Sequence, residues 1–259
     1  MRLEDKIAVV TGGGRGIGRS IALRCAAEGA DVALAARSAE QIEEVAGLVE
    51  REGRRGLAVV TDLRDPDQVA RLADTVAEEL GGVDVLVNNS GIAGPMGVMW
   101  EIEPEEWEET IQVNLTGTYL CCRSFLPGMV SRRSGSIVVI GSMTGKRPLH
   151  GRTPYAASKL ALVGLVRTLA WEVGEHGVRA NLISPGAVEG KRLDKVIEGQ
   201  ASTRGLPLEE VRDELAGGSP LRRFVDPDDV AEAVVFLASD AAASVTGEDF
   251  NVTAGLAMY

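Results

Sequence analysis

The chain has 259 residues, 45% hydrophobic and 25% charged, enough to bury a full core and unlike a disordered, collagen-like or disulfide-scaffold protein. Asp and Glu outnumber Lys and Arg by 38 to 27, a formal charge of −11 that opposes binding to nucleic-acid phosphate or anionic lipid.

From the start the pattern alternates. Residues 7–11 form a short β-branched apolar run that ends in glycines, and residues 16–28 carry apolar side chains at helical spacing. Strands follow at 31–36, 56–61 and 83–87. Helices are expected at 40–52 and 66–80, the second capped by Asp65. The second half predicts a long helical stretch around 107–131, a strand at 136–140, a helix at 153–175 and a strand at 178–184. It closes with a helix at 228–239 and a strand at 248–252. Continuous apolar strands alternating with amphipathic helices mark a parallel sheet covered on both faces. The expected architecture is α/β: one doubly wound Rossmann-type domain over residues 1–259, with about seven parallel strands. Residues 188–218 break the rhythm, being charged and glycine-interrupted. They follow a strand end, where ligands sit in such sheets, and read as a substrate lid with one or two short helices.

The first residues, Met1 to Lys6, lack the apolar stretch of a signal peptide, and no apolar run approaches the roughly 20 residues that span a bilayer. A soluble cytoplasmic protein with no membrane or nucleic-acid partner is the expectation. Cys25, Cys121 and Cys122 are an odd set in apolar surroundings and read as core fillers. No His, Asp, Glu or Cys cluster has metal-ligand spacing, so no metal is expected.

The glycine excess, 31 residues, has one informative concentration. Thr11-Gly12-Gly13-Gly14-Arg15-Gly16-Ile17-Gly18 joins the first strand to the first helix. A tight turn, a backbone that must approach a pyrophosphate, and close packing of helix on strand all require glycine there. The helix N-terminus adds free N–H groups and a positive dipole end. Glycine-rich turns are common, and it is the placement between strand and helix that gives this one weight.

The spacing Gly-x-x-x-Gly-x-Gly, together with motifs further along the chain, resembles the short-chain dehydrogenase/reductase family, 3-oxoacyl-acyl-carrier-protein reductases included. Those motifs match in order: Asn88-Asn89-Ser90-Gly91 after the fourth strand, Asn114 in the long helix, Ser142 after the fifth strand, Tyr155-x-x-x-Lys159 opening the next helix, and Asn181 through Pro185-Gly186. The resemblance covers nearly the whole chain and implies a nicotinamide-dependent oxidoreductase that interconverts a carbonyl and a secondary alcohol.

It also implies roles. Tyr155 would move the proton and Lys159 would support it and bind the nicotinamide ribose. Ser142 would hydrogen-bond the substrate oxygen, and Asn114 would hold a water in a relay from Lys159 to solvent. The residue chemistry agrees: Tyr155 and Lys159 share a helix face. A phenol ordinarily titrates near about 10, and a neighbouring ammonium favours its phenolate. Taken singly, each of these residues has a structural reading: a solvated tyrosine, a snorkelling lysine, a turn serine, a helix-bending asparagine. In combination the catalytic reading is favoured. His150 and His176 are the only histidines, which suits tyrosine chemistry. His176 is expected to serve a helix C-terminus, and His150 stands open between pocket and surface.

The cofactor-binding set implied is Gly12, Arg15, Gly16, Ile17, Gly18, Arg37, Asp62, Leu63, Asn89, Gly91, Tyr155, Lys159 and Val188, with Asn88 structural. Strand two ends in Ala36-Arg37, without the carboxylate that would receive an NAD ribose. Arg37, aided by Arg15, suits a 2′-phosphate, so NADP(H) is favoured over NAD(H).

Two positions depart from the family. Gly190 stands where a threonine usually holds the nicotinamide carboxamide, leaving that task to the Val188 backbone. Val252-Thr253-Ala254-Gly255 replaces a Val-Asp-Gly-Gly ending, which bears on the expected homo-oligomer, a tetramer or dimer built on the helices from Trp107 and Thr153. Lys191, Arg192 and Arg152 read either as solvated charges or as a trap for a substrate anion. A non-catalytic dinucleotide sensor and an NAD-dependent polyol or sugar-alcohol dehydrogenase remain the alternatives. An epimerase of the extended relatives is disfavoured by length.

Overall fold

Seven parallel strands in the order β3-β2-β1-β4-β5-β6-β7 form one sheet in the computed structural model, which describes residues 1–202 and 204–259. The strands are β1 (Ile7–Thr11), β2 (Asp31–Ala36), β3 (Gly56–Val60), β4 (Val85–Asn88), β5 (Gly135–Ile140), β6 (Val178–Pro185) and β7 (Asp249–Val252). The expected doubly wound sheet of about seven parallel strands is the one observed. Alternation along each strand divides the core in two. Ala8, Val10, Val32 and Leu34 face one helical layer, while Val9, Ala33 and Ala35 face the other. Helices α1 (Gly16–Ala27), α2 (Ala39–Arg51) and α9 (Pro227–Ala238) cover the first face. Helices α3 (Pro66–Glu79), α5 (Gly117–Arg132) and α6 (Thr153–Gly174) cover the second, with α4 (Pro104–Ile111) leading into α5. Asp65 caps α3 as expected, accepting from the N–H groups of Asp67 and Gln68.

Three local features depart from regular structure. β4 begins at Val85 because the Asp84 carboxylate takes the Ile7 N–H at 2.9 Å, a side chain standing in for a ladder partner. The long helix is continuous from α4 to α5, but residues 112–116 wind with i→i+5 bonds. Pro127 lies inside α5 on its exposed side, where the carbonyl it leaves unpaired can meet water. Residues 188–218 do contain two helices, α7 (Lys191–Arg204) and α8 (Leu208–Gly217). They share a small apolar cluster of Ile197, Ala201, Val211 and Phe224.

The cysteines are core residues, and burial pushes the Cys25 and Cys122 thiols up to about 12. No described helix is long and apolar enough to cross a membrane.

An ionic cluster joins the N-terminus to α1 and α9. Arg2 donates to Glu28 at 2.6 Å and to Glu232 at 2.8 Å, while Arg24 reaches Glu28 at 3.2 Å and Glu232 at 2.5 Å. The Arg2 hydrogen bonds hold the Glu28 carboxyl down at about 2, from an ordinary 4.5. A carboxylate depressed in this way stabilises the fold above its unfolded pKa and loses that contribution as pH falls through the folded one. Solvent screening limits the effect to about 1 kcal/mol. Glu28→Gln should therefore cost about that much at pH 7, with the gap to wild type closing between about pH 4.5 and 2 in denaturant titrations. A gap that persists unchanged at the acid end would mean the ion pairs are not its source.

Candidate active site

β1 and β4 are neighbours whose following connections leave in opposite directions, so the ends of these strands open a crevice. A latch holds its rim. Thr11 Oγ1 accepts from the N–H groups of Asn89 and Ser90, both at 3.0 Å, and the Asn89 amide donates to Thr11 O at 2.8 Å and Gly12 O at 3.3 Å. Asn89 is thus spent on the glycine turn itself. Asn88 is buried, with its amide 3.5 Å from Cys122 Sγ.

The glycines of the turn have distinct reasons. Gly12 lies at φ +64°, and a Cβ there would come within 2.9 Å of Asn89 Nδ2. A Cβ on Gly18 would stand 2.2 Å from Gly12 O, so helix and turn touch through bare backbone. Gly16, at φ +53°, instead opens onto empty space. The first turn of α1 has no side-chain cap, since Arg15 is extended and exposed. A concave run of glycine backbone ending in uncapped N–H groups fits a dinucleotide pyrophosphate.

Further along the rim, Arg37 is exposed at the end of β2. Asp62 is engaged by Arg64, which donates from Nη2 at 2.6 Å and from Nε at 3.0 and 3.1 Å. These bonds, assisted by Arg37, hold the Asp62 carboxyl below its ordinary value against partial burial. Leu63 is 7% exposed and its side chain packs in the second core. The signal for Arg64 was the alternating-sign pair Asp62-x-Arg64.

At the other end of the crevice, α6 presents Tyr155, Ser158 and Lys159 on one face. Tyr155 is half-buried and Lys159 is 5% exposed. Lys159 Nζ donates to Ile140 O at 2.8 Å and lies 5.8 Å from the centre of the Tyr155 ring. Burial lowers the Lys159 pKa, the Tyr155 hydroxyl opposes that shift, and Arg192 adds to it. Ser142 Oγ accepts from Thr144 N at 3.1 Å, which leaves its own proton free to donate. The turn after it is pressed onto α6, since a Cβ on Gly145 would lie 2.9 Å from Leu160 N. Lys146 then ties that turn to β7 through Asp249 Oδ2 at 3.0 Å and through Asn251 Oδ1, with Ser184 donating to Asp249 Oδ1 at 2.7 Å.

Asn114 is fully buried in the i→i+5 segment. It accepts from Ile92 N at 2.8 Å and donates to Ile92 O and Ser158 Oγ, both at 3.0 Å, while Ser158 donates to Tyr155 O at 2.8 Å. Its side chain therefore pins the loop after β4 to α6. A Cβ on Gly91 would sit 3.2 Å from Asn114 Oδ1 and 3.5 Å from Lys159 Nζ, so the missing side chain keeps a gap open between them. Ser158 is the link that the sequence reading missed, although its place next to Lys159 on the Tyr155 face signalled it.

Val188 pairs with Val225 in a one-residue parallel bridge. Ala187 O accepts from Val225 N and Glu189 N donates to Val225 O, at 2.9 Å each, which turns the amide of Val188 itself to the opposite side. Gly190 follows at φ +131°, a conformation closed to threonine, and its carbonyl accepts from Leu193 N and Asp194 N at the start of α7. His150 is exposed, and His176 lies at the α6 C-terminus, 3.6 Å from Glu175. Among the described residues no group of three or more His, Cys, Asp or Glu is placed to hold a metal ion.

A family model described as enoyl-(acyl carrier protein) reductase matches residues 12–257. The chain belongs to the short-chain dehydrogenase/reductase family. It is 34% identical to the 2,3-dihydro-2,3-dihydroxybenzoate dehydrogenase of Bacillus subtilis over 98% of this chain and 96% of that one. Among solved structures it superposes on an actinorhodin polyketide ketoreductase with NADPH at TM-score 0.93, with 34% identity and 98% of each chain covered. It superposes equally, at 0.93, on an NAD+-bound xylitol dehydrogenase at 27% identity, covering 98% of this chain and 100% of that one. A short-chain dehydrogenase/reductase is an oxidoreductase acting on alcohols and carbonyls with a nicotinamide dinucleotide, as the sequence led one to expect.

Proposed function

We propose that the protein is an NADPH-preferring reductase that converts a carbonyl into a secondary alcohol, with Tyr155 as the proton donor. The single observation that carries the reading is the grouping on α6: Lys159 Nζ lies 5.8 Å from the Tyr155 ring centre and Asn114 is tied to Tyr155 O through Ser158, with Ser142 at the head of the turn that packs on the same helix. A nicotinamide dinucleotide held there would supply the hydride for the carbonyl carbon, and the protein the proton for the oxygen.

The residues divide that work. Ser142 donates its free proton to the substrate oxygen and stabilises the charge that develops there. Tyr155 delivers the proton that makes the alcohol. Lys159, which has donors left beyond its bond to Ile140, holds the nicotinamide ribose and sets a positive charge beside the Tyr155 ring. The gap at Gly91 between Asn114 and Lys159 suits a water that returns the proton from solvent. Gly12, Arg15, Gly16, Ile17 and Gly18 cradle the pyrophosphate. The Val188 amide holds the carboxamide, and the α7–α8 pair closes over the substrate. Asp62, Leu63 and Gly91 line the adenosine half, beside the glycine turn that Asn89 holds in place, with Arg64 yielding part of its hold on Asp62 to the adenine amine.

Relatives of the same fold with NADPH and with NAD+ leave the cofactor choice to the end of β2. There Ala36 and the exposed Arg37 favour the 2′-phosphate. Trp171, Tyr119 and Leu160 expose apolar surface on α5 and α6, at 90%, 50% and 53%, which supports a homo-oligomer, a tetramer or dimer, packed through those helices.

Titration with NADPH and NADH, read by nucleotide fluorescence, tests the reading. NADPH should bind at least about tenfold tighter and should support reduction of cyclic ketones or keto acids. Tighter NADH binding would overturn the cofactor preference. Binding of neither would remove the dinucleotide site and favour a different role for the glycine turn.

A further inference from the structure

The geometry points to a subsite for a substrate anion beside the reacting carbonyl, formed by Arg152 from the α6 side and Arg192 from the α7 side. The inference rests on the reductase reading above and narrows its substrate class to carbonyl compounds bearing a carboxylate or a similar anionic group.

The Arg152 guanidinium lies over the Tyr155 ring, 5.0 Å from its centre, and its Nη2 donates to Ala93 O at 2.8 Å in the loop after β4. Its Nε is buried without a partner. Arg192, in the first turn of α7, reaches across to Gly91 O at 3.5 Å. Arg152 and Lys159 both lie over the Tyr155 ring, and Arg192, held at Gly91 O, opposes the charge on each of them.

Among the described residues, none of the three has a carboxylate within ion-pairing distance. The acidic side chains flanking Arg192 are turned away. Glu189 pairs with Arg212 at 3.0 Å, and Asp194 approaches the same guanidinium at 3.7 Å. In a protein of net charge −11, positive charge is left uncompensated at the reacting end of the crevice. A partly desolvated guanidinium stays charged and gains most from an anion that satisfies its donor fork. Lys191, which precedes Arg192, is exposed and makes no contact with this group, so the trap read from sequence narrows to Arg152 and Arg192.

Calorimetric titration of the NADP+ complex, in which a carbonyl is bound but not reduced, separates this subsite from the chemistry. The probes are 3-oxocyclohexane-1-carboxylate and its methyl ester. The wild type should bind the carboxylate at least about tenfold tighter, and Arg192→Met and Arg152→Met should each collapse that discrimination toward unity. Lys191→Met should keep it. Arg192 stands on an exposed turn, so its variant reports even if loss of the Arg152–Ala93 bond disturbs folding. Equal affinity of the wild type for the two probes, or no binding of the carboxylate at about 10 mM, overturns the subsite. So does an Arg192→Met variant that weakens NADPH binding and leaves the discrimination intact, since that arginine would then serve the cofactor. A wild type that discriminates yet reduces neither probe nor any ketone keeps the subsite and sinks the reductase reading instead.

Discussion

Tyr155→Phe should lower kcat by about 10³-fold or more while leaving the NADPH Kd within about twofold of wild type. The substitution is unusually clean here. The ring that Arg152 and Lys159 lie over, at 5.0 and 5.8 Å, stays in place, and only the hydroxyl is lost. Its backbone carbonyl, which anchors Ser158 and through it Asn114, is untouched. A collapse of turnover with intact binding therefore reports the proton and not the architecture. The measurement is single-turnover reduction of the best carbonyl substrate of the wild type, beside a fluorescence titration of the cofactor. Turnover within about tenfold of wild type would remove Tyr155 from the proton step.

Arg37→Asp should raise the NADPH Kd by about 100-fold and improve NADH binding, reversing the preference. The arginine sits exposed at the end of β2, so its replacement disturbs no core packing. The new carboxylate would repel a 2′-phosphate and accept from a ribose hydroxyl. The effect has a side consequence at Asp62, whose carboxyl Arg37 helps hold down. That assistance is smaller than the bonds from Arg64, so Asp62 should remain ionised. An unchanged NADPH affinity would assign the phosphate to Arg15 or to Arg64.

The centre of the sheet was legible in the sequence because strands such as β1 and β5 are continuous apolar runs, as strands buried on both faces must be, whereas the edge strand β7, Asp249-Phe250-Asn251-Val252, is partly polar and partly exposed. The glycine turn was legible for a related reason: where the backbone must touch backbone, as at Gly18, only one residue type fits. What stayed hidden was partner choice. Nothing in the periodicity of residues 107–131 marks the i→i+5 segment, in which Asn114 bonds the backbone of Ile92, twenty-two residues earlier. Asp62 read as open to adenine, yet Arg64 covers it, since a short local ion pair forms before any ligand arrives. Arg152 could be read as a charge near Tyr155, but its place over the ring depends on Ala93, in a loop that the fold brings alongside. Residue types announce chemistry; the distances that make it usable come from contacts far apart in the chain.

The tie between Lys146 and Asp249 constrains how this sequence can drift. Side chains 12% and 7% exposed share the charge pair, and removing one partner strands the other at a cost of about 3–5 kcal/mol. Neither position is then free to change alone, whereas a joint exchange for apolar residues of similar volume could be nearly neutral. The turn that carries Ser142 and the last strand of the sheet are therefore coupled, so that substitutions at Lys146 and Asp249 should be tolerated together better than singly.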